Sequence, residues 1–279
     1  MFTKTTFSGA NGMALVADVA GSKDPTLLFL HGGGQTRHAW DRAAEAMFMK
    51  GKRVINLDAR GHGESAWAPD GDYALTSFAD DVDAVMTAAR VRRAAVVGAS
   101  MGGLTGLVVA ARAPELVEAL VLVDVVPEVS RAGASRIRDF MMEHAASGFA
   151  SLDDVADAVG AYVPGRARPA TSDGLMKNVR MREDGRFYWH WDPAFLKRVR
   201  GLDAQALGDM ARLVRCPTLL VRGGRSDVID DDGVASLKSQ IPHLEIANVA
   251  DAAHMVAGDR NDRFIRVVEG FLDGLKVRA

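Results

Sequence analysis

The sequence predicts an α/β fold, a mostly parallel, doubly wound sheet with a helical cap inserted into it. Three observations carry this. Short apolar, β-branched runs recur along the chain, and helical-length segments separate several of them. The alternation stops once, after Val126-Pro127, and resumes only at Cys216.

The runs Thr26–Leu30, Arg53–Leu57, Ala94–Val97, Leu120–Val123, Thr218–Val221 and Leu244–Val249 read as strands. Trp40–Met49, Phe78–Arg90, Leu104–Arg112 and Val234–Gln240 read as the helices between them. Near the start, Asn11-Gly12 lies between two strand-like pieces, which predicts a hairpin and an antiparallel edge. From residue 128 to 209 the chain reads as helices and loops, including Ile137–Ala146 and Leu152–Gly160, with no strand. That stretch is too long for a plain connection, so the expected division is a core of 1–127 and 210–279 with a helical lid at 128–209.

Composition narrows the function. With 48% hydrophobic and 25% charged residues, the chain can bury a large core and is not disordered. A net charge of -2 without a basic block provides no field for a phosphate backbone, so nucleic acid is not an expected partner. No apolar run reaches the roughly 20 residues of a membrane span, and Met1-Phe2-Thr3-Lys4 lacks the order of a signal peptide. The single Cys216 cannot form an internal disulfide and sits in an apolar stretch. The expectation is a cytoplasmic protein acting on a small molecule, compatible with a homodimer.

The chemistry concentrates in Val96-Val97-Gly98-Ala99-Ser100-Met101-Gly102-Gly103-Leu104, where a strand ends in Gly-x-Ser-x-Gly and a helix begins at once. This context leaves a serine hydroxyl exposed at a helix N-terminus, where amide donors favour developing negative charge. A phosphate-binding turn is the competing reading. No Lys follows as a Walker loop needs, and the spacing misses the dinucleotide fingerprint. A serine needs a base later in the chain, and His254, just after the last strand, supplies one. The other histidines lie in turns, in helical segments, in the lid or before a strand, and read as structural or merely exposed.

The imidazole must be oriented by a carboxylate. Asp227, after the penultimate strand in Arg222-Gly223-Gly224-Arg225-Ser226-Asp227, is the expected acid, giving the chain order Ser, Asp, His. Asp124 is its rival, because Leu122-Val123-Asp124 ends a strand at the same edge. Donors for an acyl oxygen are expected from the backbone amides of Gly33 and Met101, with Gly34 as alternative to Gly33, since His31-Gly32-Gly33-Gly34 follows a strand.

Taken together, His31-Gly32-Gly33-Gly34, Asp58-Ala59-Arg60-Gly61-His62-Gly63-Glu64-Ser65 and Gly98-Ala99-Ser100-Met101-Gly102-Gly103 resemble the oxyanion loop, the following turn and the elbow of the α/β-hydrolase superfamily. The resemblance covers nearly the whole chain outside the lid. It implies a serine hydrolase but not a substrate, because esterases, enol-lactonases, carbon-carbon bond hydrolases and cofactor-free perhydrolases share these motifs. Related epoxide hydrolases and haloalkane dehalogenases carry Asp at the elbow. Here the residue is Ser100, so the local similarity around Asp227 to epoxide hydrolases implies ancestry rather than activity. Ala253 stands where the family often has Gly before the histidine.

The expected activity is cleavage of a carboxylic ester or lactone through an acyl-enzyme, with no metal or organic cofactor. Carbon-carbon bond hydrolysis of a diketone, and a ligand-binding receptor with a retained triad, are the alternatives. Within the lid, Trp189, Trp191 and Tyr162 are candidate substrate contacts, with packing of lid on core as the other reading for the tryptophans. Arg131, Arg136 and Arg138 could hold a carboxylate or form part of a solvated surface.

Overall fold

In the computed structural model, which describes residues 1–162, 174–200 and 203–278, the apolar runs form one eight-stranded sheet. In chain order its strands are β1 (Thr3–Ser8), β2 (Ala14–Ala20), β3 (Thr26–Leu30), β4 (Arg53–Leu57), β5 (Ala94–Ala99), β6 (Val117–Val123), β7 (Thr218–Gly223) and β8 (Glu245–Val249). In space they run β1-β2-β4-β3-β5-β6-β7-β8. The expected hairpin is present. β1 and β2 are antiparallel, and the turn between them carries Asn11 and Gly12 at φ 56° and 76°. β2 is also antiparallel to β4, whereas every pairing from β4 to β8 is parallel.

Parallel strands are buried on both faces, and their side chains divide by period two. Leu28 and Leu30 of β3 enter one core, Leu27 and Phe29 the other. The first core is closed by α2 (Leu75–Ala88) and α3 (Met101–Arg112), through Val82, Met86 and Leu107. The second is closed by α1 (Asp41–Met49) and the C-terminal helix Asn261–Arg278, through Met47, Phe264 and Val268. Each fully buried Leu or Phe contributes about 1.5–3 kcal/mol relative to exposure.

Between β6 and β7 lie α4 (Arg131–Glu143) and α5 (Leu152–Tyr162), then a short antiparallel pair, Val179–Met181 with Phe187–Trp189, and a helical turn, Ala194–Arg198. The expectation of a strand-free stretch is therefore corrected. The signal was Asp184-Gly185, with Gly185 at φ 75°, flanked by runs of only three residues. Val199–Arg200 adds a second short pairing, parallel to Tyr73–Ala74. The helix Ala204–Ala211 buries Leu207 and Ala211 in the first core, so the expected boundary at 209 falls inside a helix packed on the sheet. Among the described residues no helix is long and apolar enough to cross a membrane.

Candidate active site

Ser100 stands between β5 and α3 at φ 48°, ψ -118°, a left-handed conformation that costs a non-glycine residue free energy. The neighbouring glycines are forced by contacts. A Cβ at Gly98 would lie 2.3 Å from the Gly102 carbonyl oxygen, and one at Gly102 would lie 2.3 Å from that of Leu30. The serine thus sits at a helix start pressed against the end of β3. Its amide donates to the Val123 carbonyl at 3.3 Å, which ties Ser100 to the residue before Asp124.

His254, in the loop after β8, makes its Nδ1 contact with Asp124 Oδ2 at 2.8 Å. A carboxylate only accepts, so Nδ1 carries the proton and Nε2 is left as the basic nitrogen. Asp124 directly follows β6 at φ 50° and is 0% exposed. Its Oδ1 accepts the Gly223 amide at 2.8 Å, and Oδ2 also accepts the Ser226 hydroxyl at 2.5 Å.

Asp227, the acid expected from sequence, does not meet His254; the carboxylate in contact with the imidazole is its rival, Asp124. Past Gly223 the chain curls back, with the Ser226 amide donating to the Gly223 carbonyl at 3.0 Å, and this turn carries Asp227 outward. There it is exposed and pairs with Arg136 of α4, Nη2 to Oδ1 at 2.5 Å.

The glycine loop after β3 lies over the start of α3, since a Cβ on Gly33 would be 3.9 Å from that of Met101. Its neighbours' amides are engaged. Gly32 donates to Gln35 Oε1 at 2.9 Å and Gly34 to His62 Nε2 at 3.1 Å. Among the described hydrogen bonds none uses the amides of Gly33 or Met101. Gly34, the alternative donor, is thereby committed to His62.

The two histidines beneath this loop are structural. His62 Nδ1 donates to the Arg60 carbonyl at 3.0 Å, and its burial, with His31 nearby, lowers its pKa to about 3. His31 Nδ1 donates to the Gly32 carbonyl at 2.8 Å while Nε2 accepts the Ala59 amide at 3.0 Å, and burial lowers its pKa too. Further below, Arg37 spans Asp18, Asp58 and Glu64, and the first and last of its contacts measure 2.8 and 2.6 Å. Sequence reasoning gave none of these bracing roles to Gln35, His62 or Arg37, because the partners are far apart in the chain.

The segment between β6 and β7 covers the loop. A Cβ on Gly33 would lie 3.3 Å from Phe195 Cζ, and one on Gly34 2.6 Å from Met141 Cε. Of the expected aromatic contacts, Trp191 is 2% exposed and packs with Phe195, while Trp189 packs with Phe140 and Phe149. The structure places both tryptophans in the packing of this segment. Half-buried Tyr162 stacks on Phe140 at 4.3 Å under the Arg136 guanidinium. Arg136 is bound to Asp227, Arg138 lies 4.0 Å from Asp139, and the Arg131 side chain is outside the described residues. Among the described residues, the cluster Asp18, His38 and Asp41 has metal-ligand proximity, but Arg37 Nε takes Asp18 at 2.8 Å and Lys177 Nζ takes Asp41 at 2.6 Å.

A sheet in this order, an antiparallel hairpin at one edge and a strained serine between its central strand and a helix define the α/β-hydrolase class. The comparisons agree. The family model for the alpha/beta hydrolase fold matches residues 25–260, and the chain belongs to that family and is a hydrolase. Esterase Rv0045c of Mycobacterium tuberculosis is 32% identical over 258 residues, 91% of this chain and 84% of the relative. The mouse sn-1-specific diacylglycerol lipase ABHD11 is 27% identical, over 89% of this chain and 81% of the relative. A crystal structure of the M. tuberculosis esterase superposes with a TM-score of 0.78 at 31% identity, covering 98% of this chain and 92% of that one.

Proposed function

We propose that this hydrolase cleaves small-molecule carboxylic esters through an acyl-enzyme on Ser100, with His254 as base and Asp124 as the acid that orients it. The observation that carries the reading is the bond from His254 Nδ1 to a fully buried Asp124, in a fold that puts a strained Ser100 on the neighbouring strand end. His254 Nε2 takes the Ser100 proton as the hydroxyl oxygen attacks the carbonyl carbon. The amides of Gly33 and Met101 donate to the resulting oxyanion. Collapse expels the alcohol, protonated by His254, and water activated by the same imidazole then releases the carboxylic acid. Asp124 holds the tautomer and stabilises the imidazolium.

Ester cleavage is favoured over other carbonyl substrates because the similar proteins described above are an esterase and a diacylglycerol lipase. The segment from residue 128 to the turn Ala194–Arg198 acts as the lid, setting Met141 and Phe195 above the donor loop. A fluorophosphonate probe tests the reading. The intact protein should be labelled and Ser100→Ala should not. Chromogenic p-nitrophenyl esters of increasing acyl length should be turned over with a preference set by the lid. Equal labelling of a folded Ser100→Ala protein would move the nucleophile elsewhere.

A further inference from the structure

The turn after β7 is where sequence reading placed the acid, and the structure puts a different residue of that turn to use. We propose that Ser226 is a positioning residue for the Asp124–His254 pair, an inference that rests on the proposed roles of Ser100, His254 and Asp124.

Half-buried Ser226 has one hydroxyl proton, and its surroundings decide where it goes. The Val228 amide donates to Ser226 Oγ at 3.2 Å and so occupies a lone pair. Asp124 Oδ2, 2.5 Å away, can only accept. The hydroxyl therefore donates to the same carboxylate oxygen that takes the His254 Nδ1 proton at 2.8 Å. With the Gly223 amide on Oδ1, the buried carboxylate accepts from three donors and its plane is fixed. Two of them come from the end of β7 and the turn that follows it.

That turn is joined to the histidine loop as well. The Arg225 amide donates to the Ala252 carbonyl at 2.9 Å, the Gly224 amide to that of Val249 at 2.9 Å, and a Cβ on Gly223 would meet the Ala253 carbonyl oxygen at 2.3 Å. One short turn therefore holds acid and base in register, although they lie 130 residues apart in the chain.

Two consequences follow from the hydroxyl. It restrains rotation of the carboxylate away from Nδ1, and it withdraws negative charge from the oxygen facing the imidazole. Removing it frees the carboxylate and strengthens the pull of that oxygen on an imidazolium proton. Ser226→Ala should therefore slow turnover and move the acidic limb of activity to higher pH.

The experiment measures kcat and KM with p-nitrophenyl butyrate, and the rate of fluorophosphonate labelling against pH, for the wild type, Ser226→Ala, Ser226→Thr and Asp124→Asn. For Ser226→Ala we expect kcat to fall about tenfold with KM within about twofold, the size of one hydrogen bond to a charged group. The half-maximal labelling pH should rise by about half a unit, a modest part of such a bond. Ser226→Thr, which restores the hydroxyl, should recover both. An unchanged kcat and pH limb in Ser226→Ala would overturn the proposal. So would a fall in kcat and melting temperature with the pH limb fixed and no recovery in Ser226→Thr, since that marks a merely structural serine. A folded Asp124→Asn enzyme with normal turnover would instead overturn the underlying reading of the acid, whatever the Ser226 variants do.

Discussion

Asp124 and His254 meet at 2.8 Å across the carboxyl edge of the sheet, one from the end of β6 and the other from the loop after β8. If this contact sets the imidazole tautomer, Asp124→Asn should keep the fold and lower ester turnover by about 10⁴, as the analogous change does in a serine protease. Asp227→Asn loses an exposed ion pair and should change kcat by less than about threefold. Circular dichroism together with p-nitrophenyl ester turnover separates folding from chemistry. A crippled, folded Asp227→Asn enzyme beside a normal Asp124→Asn enzyme would reverse the roles.

The buried His62 makes stability depend on acid. Its pKa is near 3 in the folded chain against 6.5 ordinarily, so between those values the unfolded chain holds a proton that the folded one does not. Its contribution is complete above pH 6.5 and drains as pH falls toward 3, at up to about 1.4 kcal/mol per pH unit. Urea unfolding of the wild type should show this slope between about pH 6 and 4. In His62→Gln the slope should lessen by about one proton. Equal slopes for the two proteins would show that His62 is not neutral in the fold.

Two glycines should respond oppositely to the same added methyl group. Gly102→Ala pushes a Cβ to 2.3 Å from the Leu30 carbonyl oxygen, a backbone atom that cannot turn aside. That variant should lose fluorophosphonate labelling and melt far below the wild type. Gly160, inside α5, has nothing within 4 Å of such a Cβ. Gly160→Ala should therefore gain about 0.5–1 kcal/mol from the lower entropy of its unfolded chain. Thermal melts of both decide the matter, and a normal Gly102→Ala protein would contradict the close approach of β3 and α3.

The covering segment should show the same contrast between packing and charge. Trp191→Ala removes a side chain only 2% exposed from the contact with Phe195 and should cost about 3–5 kcal/mol. Arg136→Ala breaks a half-exposed pair with Asp227 and should cost no more than about 1 kcal/mol. Chemical denaturation compares them directly. A larger loss in Arg136→Ala than in Trp191→Ala would place the anchoring of this segment at α4 rather than at the tryptophan.

Much of this molecule was legible in its sequence because the signals were local. β-branched runs fixed six strands of the sheet to within a few residues, Asn11-Gly12 marked the hairpin, and Gly98-Ala99-Ser100-Met101-Gly102 carried the elbow in five consecutive positions. The carboxylate partner of His254 was not local. Asp124 and Asp227 each follow a strand, and what separates them is the curl at Ser226 and the pull of Arg136 from a helix 91 residues away. Charge pairing across such a distance leaves no periodic trace. The strand pair around Asp184-Gly185 was missed for another reason. Three residues per strand are too few for alternation to show, and the turn signal had to be read alone.

The backbone of the covering segment is stitched to the turn after β4. The Gly63 amide donates to the His190 carbonyl at 2.7 Å, the Asp192 amide donates to that of Gly61 at 2.8 Å, and His62 and Trp191 bridge between them. His62 also holds the Gly34 amide, so this seam and the glycine loop after β3 share one imidazole. Residues 190–192 are thereby fixed to the core by backbone bonds. In deuterium, the amides of Gly63 and Asp192 should stay protonated long after those of α4 have exchanged. Slower exchange at Gly63 and Asp192 than along α4 would mark the aromatic flank as the fixed side of this segment.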